Sequence, residues 1–139
     1  MTQEERELVI KDLCARLPYG VKTSYSGYKM TIRGVDVESK TVDVINWGKA
    51  RFVAVRIEKI KPYLRPLSSM TEEENLSLAE FVGVHVSARH GEIYFPNLSD
   101  NTVCNWHKVF DWLNRNMFDY HGLIPAGLAN AAPEGTYNN

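Results

Sequence analysis

Residues 56–74 read RIEKIKPYLRPLSSMTEEE (Arg56–Glu74), and the rest of the chain divides around them. Ile57, Ile60 and Leu64 are apolar at spacings of three and four, interrupted by Glu58, Lys59 and Lys61. That pattern predicts one tight helical turn over 57–60. Pro62 pushes Lys61 out of helical backbone and Pro66 does the same to Arg65. Tyr63-Leu64 is then extended and able to add to a sheet edge, where proline is tolerated. Thr71 and Glu74 form a T-x-x-E capping box, with three glutamates in the first helical turn where the helix dipole favours negative charge. The stretch therefore ends a β region, turns at two prolines and starts a helix. It is expected to act as a clasp with Ile60, Tyr63 and Leu64 buried.

Upstream of this joint the apolar period is two. Val21, Thr23 and Tyr25 alternate with Lys22 and Ser24, Ser26-Gly27 makes a two-residue turn, and Tyr28, Met30 and Ile32 alternate with Lys29, Thr31 and Arg33. Val42 and Val44 continue the pattern after the polar turn Glu38-Ser39-Lys40, Trp47-Gly48-Lys49 breaks it, and Phe52–Val55 resumes it. Four to five short antiparallel strands of this kind predict a small curved sheet, with a partly open SH3-like barrel as one way to hide its edges. Before the sheet, Thr2 and Glu5 match a capping box, and Val9, Ile10, Leu13, Cys14 and Leu17 recur at helical spacing. Glu5, Arg6, Lys11, Asp12 and Arg16 supply the polar face of a helix over 3–16, which Pro18 and Gly20 stop.

Downstream the period lengthens. Leu76, Ala79 and Val82, with Leu78 and Phe81 nearby, predict a helix over 72–81 ended by Gly83. Val84–Ala88 and Glu92–Phe95 flank His90-Gly91 as a β-hairpin. Val103, Trp106, Phe110, Leu113 and Met117 mark an amphipathic helix over 102–117. The Gly- and Pro-containing tail is expected to form at most one helical turn, near Leu123-Ile124, with Leu128 able to dock. The fold class is therefore α+β: an N-terminal helix, a small curved antiparallel sheet, then helix, hairpin and helix. Two sub-regions are expected, 1–66 and 67–139.

Net charge is −1, but its distribution is uneven. Residues 20–66 hold ten basic and four acidic side chains, a balance of +6, while residues 67–139 hold three basic and nine acidic, a balance of −6. Such a split fits a polyanion-facing half, an acidic partner or mutual attraction of the two halves. No run approaches the ~20 apolar residues of a membrane span, and the acidic N-terminus lacks the features of a secretion signal. A cytoplasmic protein is expected. Cys14 and Cys104 have no metal-ligand spacing and read as small core residues.

The titratable residues offer two catalytic or metal-binding pairs. His85 and Glu92 could share a face of the hairpin beside His90, but a zinc site needs three or four converging ligands. His107 and Asp111 are four apart on the last helix, half of a triad with no recognisable nucleophile. No phosphate-loop pattern occurs. Neither cofactor nor metal is expected, and the balance leans away from an enzyme. The basic half offers a nucleic-acid face in Lys22, Lys29, Lys49, Arg51, Lys61, Tyr28 and Trp47, cations interleaved with rings on which bases could stack. The competing view makes the cations the solvated members of two-period strands.

Two segments carry a resemblance. Ile57–Glu74 (IEKIKPYLRPLSSMTEEE) and Asp111–Asn138 (DWLNRNMFDYHGLIPAGLANAAPEGTYN), with Leu13–Lys22 (LCARLPYGVK) similar as well, resemble small proteins encoded by phages and prophages of gut Bacteroidetes. Those relatives pair a KPYLRP-type segment with a WLN…FDYRGLI…GLA…APEGMY-type ending. The resemblance implies no particular activity. It implies an accessory protein, which is more often a binding module with a protein partner than an enzyme. His121 stands where the relatives carry Arg, and Pro125-Ala126 where they carry a charged pair, so no essential charge is expected there.

Overall fold

A computed structural model describes residues 1–46, 51–83, 86–88, 93–94 and 106–137, without the side chain of Arg51. The chain is α+β and forms two compact units: Met1–Leu64 with His121–Asn139, and Arg65–Tyr120. The tail thus belongs with the sheet rather than with a contiguous sub-region 67–139.

In the first unit, helix α1 (Gln3–Arg16) begins at the expected box. The Thr2 side chain accepts from the Glu5 backbone N–H, and the Glu5 carboxylate accepts from the Thr2 N–H. Strands β1 (Lys22–Tyr25), β2 (Tyr28–Asp36), β3 (Thr41–Asn46) and β4 (Arg51–Arg56) follow as an antiparallel sheet in that order. The β1–β2 turn has positive φ at both Ser26 and Gly27, the backbone that matches the twist of a two-residue hairpin. At the next turn the Asp36 carboxylate accepts from the backbone N–H groups of Glu38 and Ser39. A 3₁₀ turn, Ile57–Lys59, leads to β5 (Tyr63–Pro66). An antiparallel bridge between Thr23 and Pro62 covers part of the outer edge of β1.

Apolar burial follows the two-period pattern except at Ile45, which is buried although it lies on the outer face, and at Tyr28, which is exposed. Val21, Met30, Ile32, Val42, Val44, Val55, Ile57, Ile60 and Leu64 are buried with Val9, Ile10 and Leu13 of α1. Ile60 and Leu64 are buried as expected, whereas Tyr63 is half-buried. The tail contributes Leu123, Leu128 and Ala129 to this set. Its strand β7 (Asn130–Ala131) lies parallel to Tyr63 and Leu64.

In the second unit, α2 (Glu72–Val82) starts at the expected Thr71–Glu74 box and ends at Gly83 in left-handed conformation. Helix α3 (Trp106–Arg115) and strand β6 (Phe118–Asp119) complete it, with β6 parallel to Arg65 and Pro66. The core contains Leu67, Met70, Leu78, Val82, Val86, Ala88, Val109, Trp112, Leu113 and Phe118. Ser87 and Tyr94 exchange two backbone hydrogen bonds where a hairpin was expected; Val84, His85 and Arg89–Glu92 lie outside the described residues. The Asn75 side chain donates to the Val86 carbonyl and accepts from the Ala88 N–H, pairing like a strand.

Four expectations about burial need correction. Asp12 and Arg16 are fully buried rather than solvated. Leu76 is exposed, because the apolar face of α2 is set by Leu78 and Val82. Trp106 is likewise exposed, since Val109, Trp112 and Leu113 take the inner face of α3. Cys14 is exposed, one turn beyond the buried Ile10; Cys104 lies outside the described residues.

Candidate functional site: the outer face of the sheet

Direct cross-strand partners share a face. The register therefore places Lys22, Thr31, Ile45 and Phe52 in one row across the side of the sheet opposite Met30 and Ile32. Ser24 and Lys29 form the next row at the β1–β2 end. Between Ile32 and Gly34 the register slips by one residue, a β-bulge. Bulges re-aim a side chain, and here the extra residue is Arg33. Its guanidinium carbon lies 5.9 Å from the centre of the Phe52 ring, over its face. Phe52 is 53% exposed. Gly34, Asp43 and Ala54 continue the face beyond the bulge, and the Asp36–Thr41 pair ends it. The face thus carries cations and a ring at one end and two carboxylates with Arg56 at the other.

Of the residues expected to meet nucleic acid, Lys22 and Lys29 lie on this face, the first half-buried and the second exposed. Tyr28 is exposed, but alternation puts it on the side of Met30. Lys61 is exposed in the segment before β5, and its carbonyl accepts from the buried Thr23 hydroxyl. Trp47 and Lys49 lie outside the described residues, as does the side chain of Arg51. The structure brings together two of the seven, Lys22 and Lys29, and adds Arg33 and Phe52. Phe52 could have been found by carrying the strand alternation across the sheet. Arg33 could not, because the bulge that turns it over the ring shows in sequence only as a lone glycine.

A second cluster in this unit is structural. Arg16 donates to both carboxylate oxygens of Asp12, Nε to Oδ2 at 2.8 Å and Nη2 to Oδ1 at 3.0 Å. Neither side chain is exposed. His121 Nδ1 is 2.7 Å from Asp12 Oδ1. His121, where no essential charge was expected, thus fastens the tail to the buried carboxylate. The Tyr137 hydroxyl accepts from the Lys22 N–H at 2.9 Å and donates to the Tyr63 carbonyl at 2.6 Å. Loss of water around it pushes its pKa up from 10.0 to about 12, so it remains a neutral donor. Sequence reading missed this cluster because its members lie 109 positions apart in one pair and 115 in another.

Elsewhere, Asp111 accepts from Arg115 at 3.3 Å on the polar side of α3, and His107 is exposed beside it. His85, His90 and Glu92 lie outside the described residues. Among the described residues no group of three His, Cys, Asp or Glu side chains is placed to hold a metal ion, and no helix is long and apolar enough to cross a membrane. Compared with known proteins, the chain matches no family model, no curated protein and no solved structure.

Proposed function

We propose that the chain is a non-enzymatic protein-interaction module, a cytoplasmic accessory protein of the phage and prophage kind it resembles, acting on a host or phage protein. The observation that carries this reading is Phe52, more than half exposed on β4, the last strand of the four-stranded sheet, and covered on one side by Arg33. A ring fixed by strand backbone loses little freedom on binding, and aromatic and arginine side chains dominate the energetics of protein interfaces. The closest-packed titratable groups support the same view. Asp12 is engaged by Arg16 and His121, and the Tyr137 hydroxyl is engaged by two backbone groups, all holding the tail in place. Nucleic-acid contact is the weaker alternative, because Lys29 and Tyr28 lie on opposite sides of β2 and Asp36 and Asp43 share the cationic face.

The test is affinity capture from cells carrying such phages, using the intact chain and its Phe52→Ala variant at matched melting temperature. A protein retained by the first and lost by the second is expected. Identical retention by the two would sink the assignment of this face.

A further inference from the structure

The sheet face has a chemical counterpart in the same sequence. In α2, Glu73, Leu76, Ser77 and Glu80 recur at spacings of three and four and so share one face; all are exposed. Leu76 is 54% exposed. The buried residues of the helix, Leu78 and Val82, belong to its other side. The result is a single apolar side chain flanked by glutamates. The outer sheet face presents the converse, an exposed ring on β4 with Arg33 over it, and Lys29 and Lys22 on β2 and β1 toward the other edge of the sheet.

We propose that the outer sheet face of one copy receives the α2 face of a second copy, with Leu76 against Phe52 and Glu73 and Glu80 directed to the cations. This rests on the reading of the sheet face as a binding face and names its partner. Charge complementarity selects the occupant: the basic stretch 20–66 carries +6 and the acidic stretch 67–139 carries −6. Like surfaces would repel, so the contact is between unlike ones. Each copy then has one of each to offer, and association is head-to-tail, closing into rings or continuing as chains. A single-stranded nucleic acid fits less well. Its phosphate track would have to cross Asp43 and Asp36 between the lysines and Arg56, and Phe52 is the one exposed ring among the described residues of the face.

Sedimentation velocity of the intact chain tests this. Average mass should rise with protein concentration and fall again when salt is raised from about 0.05 M to about 0.5 M, since exposed charges are screened. A sheet variant (Lys29→Glu with Phe52→Ala) and a helix variant (Glu73→Lys with Leu76→Ala) should each stay monomeric. Mixed in equal amounts they should form a one-to-one dimer, because each keeps the surface that the other lacks. Melting curves verify folding; if a double variant melts early, the single charge reversals Lys29→Glu and Glu73→Lys take its place. A wild-type chain that is monomeric at every concentration overturns the proposal, as does association untouched by either variant or a mixture that stays monomeric. If a foreign protein is still captured through Phe52 while the chain stays monomeric, the self-contact fails and the binding face stands. If Phe52→Ala alters neither, both fail. Salt-sensitive binding of oligothymidylate lost in Lys29→Glu overturns the proposal in favour of nucleic acid.

Discussion

At the scale of single residues, Tyr137 ties three separate stretches of chain together through one oxygen. It accepts from the backbone of Lys22 and donates to that of Tyr63. Tyr137→Phe removes both bonds and leaves a carbonyl and an N–H without their partner, which should cost roughly 1–3 kcal/mol. The same hydroxyl fixes an alkaline limit. Its pKa is about 12 when folded, against 10.0 for an ordinary tyrosine. The unfolded chain therefore loses this proton first as pH rises. The contribution is fully present below pH 10 and fades between about 10 and 12; two pKa units correspond to ~3 kcal/mol. Urea unfolding at stepped alkaline pH should show this decline in the wild type and a shallower one in Tyr137→Phe. Equal slopes would mean that the hydroxyl is not sequestered. On the acid side, Glu5, Asp36 and Glu58 are held below the ordinary carboxylate range, chiefly by backbone N–H groups of Thr2, Ser39 and Glu58 itself. Arg6 adds to the last of these. Their contributions are present above the ordinary carboxylate pKa and are lost as pH falls.

At the scale of elements, local chemistry was the legible part. Both capping boxes, the Ser26-Gly27 turn and the 3₁₀ turn before the prolines each lie within a few adjacent residues and form as read, while the strand alternation holds except at Ile45 and Tyr28. Thr71→Ala tests one of them. It removes the acceptor for the Glu74 N–H, and Glu74 also holds Arg65 at 2.8 Å. A loss of about 1 kcal/mol is expected from the cap, seen as a lower urea midpoint with unchanged slope. A silent substitution would show that tertiary packing, not the cap, sets the start of α2. The illegible parts are those that depend on distant partners. Asp12 and Arg16 look solvated by hydropathy, yet a bidentate pair whose carboxylate is also held by His121 can be buried. Strands β6 and β7 have two residues each, too short for any period. Their parallel partners in β5 come from more than 50 positions away. Of the candidate site, the lysines of β1 and β2 could be read directly, while Arg33 depends on a bulge and Leu76 on which of two apolar stripes α2 turns inward.

At the scale of the molecule, the first unit is built from two separated pieces of chain. The second piece is integral to it: β7 pairs with β5, the Ala132 N–H donates to the Leu64 carbonyl, and Leu123 and Leu128 are buried. A chain ending after Tyr120 should therefore lose protection of the β1–β4 amides against hydrogen exchange. Retained protection in that truncated chain would show that the tail merely decorates a sheet stable without it. The second unit, Arg65–Tyr120, is by contrast a single uninterrupted run whose two ends meet inside it, Arg65 beside Phe118.

This discontinuity has a consequence for biosynthesis. Chains generally fold from the N-terminus as they leave the ribosome, but here the first 64 residues emerge with their closing strand and the Tyr137 hydroxyl still untranslated. The middle segment has all its partners as soon as it has emerged. The nascent sheet must wait for residues 121–137, with β5 unpaired along one edge and apolar side chains wetted. The unit Arg65–Tyr120 should thus mature before the sheet that precedes it, and slow decoding of residues 121–137 should prolong the interval in which the sheet can aggregate or recruit a chaperone.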